Sequence, residues 1–360
     1  MSGLGHCGKP ARKARWGKVR VLVTGSEGYV GSVLRDVLME YGHDCVGLDT
    51  GYFNDGDLGR APRPIPLISK DIREVTHDDV ADFDAVIHLA ALANDALGAL
   101  DESLTHTINT DASLRLAELA KAAGVHRFVF SSSCSMYGRG GARVLAEDAP
   151  LEPLTAYAHS KRDVEVGLSK LADDAFSPVY LRNATAFGLA PRFRFDLVVN
   201  NLVGWAWTTK CIRMTSDGTP WRPLVHVRDI ARACVCALEA PAEAVHDQAF
   251  NIGSNDHNLQ IRDIADRIQR HFPECEVTFG RSDGDARTYS VDFAKANASL
   301  PGFERTAFSL DEAVAELKEV FDNMALRQED FESRLYARLK QIQHLRAAGR
   351  LDSKLYWTDR

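Results

Sequence analysis

The apolar run Val19–Val23 passes directly into Thr24-Gly25-Ser26-Glu27-Gly28-Tyr29-Val30-Gly31, and a helical pattern of apolar residues begins there and continues to Tyr41. A strand that ends in a glycine-rich turn and restarts at once as a helix is the first half of a βαβ unit. Its crossover returns the chain, right-handed, to a parallel neighbour. The first half of the chain repeats this alternation. Short β-branched or aromatic runs at Cys45–Leu48, Pro66–Ser69, Ala85–Leu89, Phe128–Ser131 and Val179–Leu181 read as strands. Helical spacing recurs at Val30–Tyr41, Ser103–Ala123 and Ala156–Leu171. The prediction is an α/β fold, a doubly wound parallel sheet of the Rossmann type covered on both faces, with its strand-end loops gathered on one edge.

Residues 1–17 lack apolar periodicity and read as a flexible N-terminal lead-in; the sheet domain is expected over 18–189. From about Ala190 the texture changes: Trp205, Trp207 and Trp221 appear, segments shorten, and only Asp229–Glu239 keeps clear helical spacing. A smaller mixed α/β domain over 190–310, binding substrate, fits this pattern. The segment 311–360 reads as a helical extension, with Phe321, Phe331, Leu335, Leu339, Ile342 and Leu345 at helical intervals. With 43 basic against 50 acidic residues, a net charge of −7 gives no positive field for a nucleic-acid backbone. No run approaches the roughly 20 apolar residues of a membrane helix, and no secretion signal precedes the fold, so a cytoplasmic protein is expected. Seven cysteines without a C-x-x-C pair predict free thiols and no structural metal.

The glycine turn predicts a dinucleotide site. Gly25, Gly28 and Gly31 let the backbone approach a pyrophosphate, and the helix start at Tyr29 and Val30 offers free N–H donors at the positive end of a dipole. The second strand ends in Asp49, where a carboxylate accepts from both adenosine ribose hydroxyls and repels a 2′-phosphate, favouring NAD over NADP. Asp71 and Ile72 follow the third strand, placed for the adenine amino group and ring edge. Leu89, Ala90 and Ala91 close the fourth with small residues against which the nicotinamide half can lie. Both segments also suit plain packing.

Tyr157 and Lys161 stand four apart in a helical pattern, on one face. Such a pair is common in any sequence, but its chemistry suits hydride transfer at an alcohol. A phenol of pKa about 10 serves as a base near neutral pH only if an adjacent ammonium and a positive nicotinamide ring stabilise the phenolate. Ser133, at the end of the fifth strand, is the hydroxyl expected to hold the reacting oxygen.

These features together resemble the extended short-chain dehydrogenase/reductases, in the NAD-dependent epimerase/dehydratase branch that works on nucleotide sugars. The resemblance spans roughly Val19 to Leu300. It rests on T-G-x-x-G-x-x-G at Thr24–Gly31, Asp71-Ile72, His88–Ala91, S-S-x-x-x-Y-G at Ser132–Gly138 and Y-x-x-x-K at Tyr157–Lys161. Further matches are Asp217-Gly218-x-x-x-Arg222, Val227-x-Asp229-Ile230-Ala231 and Asn251-Ile252-Gly253. The resemblance implies Tyr157 as proton shuttle, Lys161 as its electrostatic and ribose-binding partner, and Ser133 as the substrate's hydrogen-bonding hydroxyl. It also implies a nucleotide-diphosphate sugar substrate held by Arg222 and Arg287, and a homodimer.

The family's branches differ in added groups. Its 4,6-dehydratases carry Asp and Glu directly after the catalytic hydroxyl, where this chain has Cys134 and Ser135, and its decarboxylases need a Glu where Ser135 stands. Cys134 has no evident His or Asp partner and reads as a packed small residue. Chemistries that need only Ser, Tyr, Lys and NAD remain. Epimerisation through a transient 4-ketone is preferred, because a retained NAD suits a closed redox cycle; a nucleotide-sugar 4-ketoreductase or dehydrogenase is the alternative. A redox-inert NAD-binding regulator is the remote third. Thr185 occupies the place where epimerases commonly have an Asn; Asn183, two residues earlier on the same strand face, is the candidate sugar contact. The stretch Arg192–Asn201 is expected to line the nucleotide end, with Asn200 and Asn201 as phosphate or base contacts.

Overall fold

The computed structural model describes residues 17–280 and 288–359. All but the last residue of the expected lead-in therefore lie outside the described residues. Seven strands form the central sheet: β1 (Arg20–Thr24), β2 (Asp44–Asp49), β3 (Leu67–Ser69), β4 (Ala85–His88), β5 (Arg127–Ser133), β6 (Ser177–Asn183) and β7 (Gln248–Ile252). Their order is β7-β6-β5-β4-β1-β2-β3, and every neighbouring pair is parallel. The order reverses between β1 and β4, which opens a crevice beyond the strands' carboxyl ends.

The strands read as unbroken apolar runs because both faces are covered. Val21, Val23, Ile87 and Val129 point into one core, while Leu22, Val86, Phe128 and Phe130 point into the other. Helices α1 (Tyr29–Glu40) and α4 (Val227–Glu239) pack together over the first face, with Val33, Leu34, Ile230 and Val235 buried. On the second face lie α2 (Ala112–Ala122) and α3 (Ala156–Leu171), through Leu116, Val164 and Leu168.

The sequence-predicted strands and helices are present with ends shifted by a residue or two, and two differences have physical causes. The sheet takes its seventh strand, and the helix α4, from beyond residue 190. The run Gln248–Ile252 is short, and its partner Val179–Asn183 is remote in sequence, so local pattern does not reveal the pairing. The helix expected over Ser103–Ala123 widens at His106–Asp111 into a π-turn. That turn brings Asn109 inward, where its amide accepts from Leu92 N (2.7 Å) and donates to Leu92 O (3.2 Å), fixing the loop after β4. A separate three-stranded sheet, Thr185–Phe187, Trp221–His226 and Asn258–Gln260, stands beyond the crevice. The extension forms α5 (Leu310–Asn323) and α6 (Arg338–Ala347), with Phe321, Phe331, Ile342 and Leu345 buried on the chain itself.

One buried network sets α3 against the sheet. Arg182 on β6 donates to Glu165 on α3 (2.8 Å) and to the Tyr137 hydroxyl (3.0 Å), which in turn donates to Asn251 on β7 (2.8 Å). Removing one partner of such a pair strands a desolvated charge. Glu165→Ala is therefore expected to cost about 3–5 kcal/mol in urea unfolding, whereas Val166→Ala, exposed on the next residue, stays within about 0.5 kcal/mol.

Candidate active site

A cavity of about 690 Å³ occupies the crevice, and Gly25, Gly28, Tyr29, Val30 and Gly31 form its floor. Gly25 has φ of 74°, and a Cβ there would stand 2.7 Å from Ala90 N. A Cβ on Gly31 would meet Gly25 O at 2.2 Å, so the turn and the helix could not close with any larger residue. Gly28 caps α1 without a side-chain hydrogen bond, and no acidic residue stands in the first turn. The N–H donors of the helix start therefore meet the cavity, a cradle that fits a dinucleotide diphosphate. Tyr29 contributes backbone, because its hydroxyl donates to Gly188 O (2.5 Å) inside the core.

Asp49 ends β2 on the cavity wall. Its two oxygens accept from Gly51 N (2.8 Å) and Glu27 N (3.0 Å), which orients them and leaves lone pairs for ribose hydroxyls. Burial raises its pKa and the two N–H bonds act against that. Asp71 and Ile72 also line the cavity, with both Asp71 oxygens bonded by the Arg73 guanidinium (2.9 and 2.7 Å). Leu89, Ala90 and Ala91 border the other side. Behind them His88 joins β1 to the second core: Thr24 donates to its Nδ1 (2.6 Å) and its Nε2 donates to Ser113 Oγ (2.8 Å). The tautomer follows from Ser113, whose own proton goes to Asn109 O (2.6 Å). Burial pushes the His88 pKa down to about 3, so it stays neutral.

Ser133, Tyr157 and Lys161 line the same cavity. Thr155 starts α3, accepting from Ala158 N (3.2 Å) while donating to Asp95, and this aims Tyr157 into the cavity. Lys161 Nζ donates to Ser131 O (2.7 Å) and sits 4.7 Å from the Phe130 ring centroid and 5.6 Å from that of Tyr157. Burial raises the Tyr157 pKa to about 12, with Asp95 adding and a hydrogen bond to Ser133 opposing. Burial lowers the Lys161 pKa to about 7, against the pull of Glu165. The protein by itself thus keeps the phenol protonated. A phenolate there calls for a further positive charge in the cavity.

Asn183 lines the cavity beside Thr185 and Ala186; its Nδ2 donates to Ser131 Oγ (3.0 Å) and its Oδ1 has no hydrogen-bond partner among the described residues. Arg222 also lines the cavity. Asn200 is a correction to the expected substrate contacts. It is fully buried behind the wall, where it accepts from Gly188 N (3.0 Å) and donates to Arg194 O (3.0 Å). At the start of the helix Val198–Thr209 the inward side is filled by Asn200 and the cavity side by Asn201. Arg287 lies outside the described residues. Cys134 is fully buried against Arg182 O (3.1 Å), and burial pushes its thiol up.

Two features of the wall were not singled out by sequence. Arg194 and Asp196 pair at 2.8 Å within the flagged stretch, and Asn94 donates to Asp196 (2.8 Å). Arg338 reaches the cavity from the extension, with no sequence signal beyond its position in a helical tail.

Residues 21–253 match the model of the NAD dependent epimerase/dehydratase family. A UDP-glucose 4-epimerase of Corynebacterium glutamicum is 31% identical over 301 residues, which cover 78% of this chain and 90% of that protein. A UDP-glucose 4-epimerase of Bacillus subtilis is 28% identical over 314 residues, 78% of this chain and 91% of that one. Among solved structures, MoeE5 in complex with UDP-glucose and NAD has a TM-score of 0.70 at 27% identity, covering 85% of this chain and 100% of its own. The UDP-glucose 4-epimerase of Thermotoga maritima shares the fold at a TM-score of 0.74 and 23% identity, over 85% and 100% of the two chains.

The depressed Lys161 pKa carries a sign that unfolding can read. Between about pH 7 and the ordinary lysine range the unfolded chain binds a proton that the folded chain has released, so stability from this group rises with pH. In cofactor-free protein the stability advantage of Lys161→Met over the parent should shrink as pH is raised from about 6 to 9. A gap that is constant with pH would contradict the buried, neutralisable lysine.

Proposed function

Because the chain belongs to the NAD dependent epimerase/dehydratase family, we propose that it is an NAD-dependent nucleotide-sugar epimerase that inverts a UDP-hexose at C4 through a transient 4-ketone. The observation that carries this reading is the convergence of Ser133, Tyr157 and Lys161 on one cavity with the glycine cradle, while no carboxylate stands directly after Ser133. Bound NAD would supply the hydride acceptor for the C4 carbinol and the donor for the ketone.

The protein's part is proton handling and grip. Tyr157 would remove the C4 hydroxyl proton as the hydride leaves, and would return it to the C4 oxygen when the hydride is delivered to the opposite face of C4. Ser133 holds the C4 oxygen in both states. Lys161, anchored on Ser131 O, would lend positive charge to the developing phenolate and hold the nicotinamide ribose of a bound cofactor. Elimination of water would need an acid and a base after Ser133. Cys134 is sealed in the core and Ser135 is a hydroxyl bonded to Ser133 (2.9 Å), so neither serves. Inversion also requires the ketone to turn over between the two hydride transfers. That favours a firm hold on the nucleotide diphosphate, for which Arg222, Arg287 and Asn201 are the proposed contacts, with Asn183 at the sugar. On the same reading residues 18–189 chiefly serve the cofactor, 190–310 the substrate, and the working form is a cytoplasmic homodimer. The UDP-glucose 4-epimerase names of the relatives support the UDP-hexose assignment.

Tyr157→Phe is expected to lower kcat for interconversion of UDP-glucose and UDP-galactose on the order of 10²–10⁴-fold while NAD binding by titration calorimetry is kept. Parent-like turnover in that variant would remove Tyr157 from the mechanism. The parent should also release about one NAD per chain on denaturation, read by mass spectrometry. Turnover that instead depends on added reduced cofactor and stops at a single alcohol would favour the 4-ketoreductase.

A further inference from the structure

Arg338 opens α6, yet it is the one residue after 310, among the described residues, that lines the cavity. It is only 4% exposed. Its Nη2 donates to Arg192 O (3.2 Å) and its guanidinium carbon lies 4.1 Å from the Phe53 ring centroid, while Nη1 has no hydrogen-bond partner among the described residues. The carboxylates around it are already engaged. Asp196 is held by Arg194 and Asn94, Asp49 by two backbone N–H groups, and Arg192 itself is bonded to Glu27 and Asp57. Burial, then the Arg194 charge, press the Arg338 pKa down to about 9, with Asp196 and Asp49 resisting; at neutral pH it remains a cation. A desolvated guanidinium with an idle N–H and no carboxylate of its own is costly unless an anion completes it.

The place where it stands tells which anion. Arg192, whose carbonyl receives Arg338, is bonded to Glu27 of the glycine turn, and Glu27 N is bonded to Asp49. Arg338 is thus linked through Arg192 and Glu27 to the glycine turn that opens α1, and Asp49 is among the charged groups that act on it. Two unrelated elements, a helix start in the first turn of the sheet and a guanidinium from the last helix, bring positive charge to the wall of the same cavity. The extension that carries it is fastened to the loops around the adenosine end. Gln341 Nε2 donates to Tyr52 O (3.0 Å), Trp357 Nε1 to Thr50 O (2.8 Å) and Arg73 Nη1 to Lys354 O (2.7 Å).

We infer that Arg338 is a ligand of the cofactor's diphosphate, and that the C-terminal extension is a clasp that closes the dinucleotide into its cleft. The inference rests on the dinucleotide reading and adds to it a residue and a mode of retention. With the clasp fastened, the cofactor leaves only when the extension opens, which suits an enzyme that keeps one NAD through many turnovers.

The test is equilibrium and stopped-flow binding to the full chain freed of cofactor, with NAD, ADP-ribose, adenosine and UDP as probes. Arg338→Met is expected to weaken NAD and ADP-ribose about 30-fold or more, mainly through faster dissociation, with adenosine and UDP unchanged. Arg338→Lys keeps the charge and loses the fork, and should show an intermediate loss; it carries the test if the Met variant does not fold. Parent-like NAD and ADP-ribose affinity in either folded variant would overturn the inference, and loss of UDP affinity in place of NAD would move the residue to the substrate's diphosphate. If the parent binds neither NAD nor ADP-ribose, the dinucleotide reading falls and this inference with it.

Discussion

The cleft depends on one close approach. The backbone of the turn after β1 lies against the chain after β4, and a Cβ on Gly25 would come within 2.7 Å of Ala90 N. On the turn's other side Gly31 packs α1 against Gly25 O at a separation no side chain allows. These contacts set the helix start at the sheet's switch point with its N–H donors facing the crevice. Asp49 is then fixed relative to the turn by its bond from Glu27 N (3.0 Å), and the loop from Leu89 to Leu92 by Asn109. A change in the glycine turn would shift each of these walls together.

The cavity has two electrostatic ends. Around the turn, backbone N–H donors and buried arginines gather positive charge; at the other end, burial holds a protonated phenol next to a lysine poised near neutrality. Burial acts on the two titratable groups in opposite directions, away from phenolate and away from ammonium. On the proposed reading, a cationic ring beside Tyr157 supplies what the protein withholds, so the base is competent only with cofactor in place. The network from Glu165 through Arg182 and Tyr137 to Asn251 keeps α3 from drifting while this happens.

Much of this was legible in the sequence, because its signals are local. A strand, a glycine turn and a helix in succession announce the cradle, and Tyr157 and Lys161 share a helix face through simple spacing. Asp49 was recognisable as the end of a strand. The rest depends on contacts between distant segments. β7 joins the sheet beside a partner far upstream, and of Asn200 and Asn201 only the second lines the cavity, because the rotation of one helix start turns the first inward. Arg338 reaches the cleft only because aromatic residues of the extension, such as Phe331 and Trp357, dock on the body of the protein. A helical pattern shows that such a tail has a buried face and says nothing of what it covers.

On the proposed reading one held cofactor takes a hydride from the sugar and returns it to the same carbon. The most direct test is UDP-glucose deuterated at C4, incubated with purified protein without added cofactor, with the product examined by NMR. The expected product is UDP-galactose that retains the deuterium at C4. Deuterium lost to solvent, or a keto sugar that accumulates with stoichiometric reduced cofactor, would contradict it.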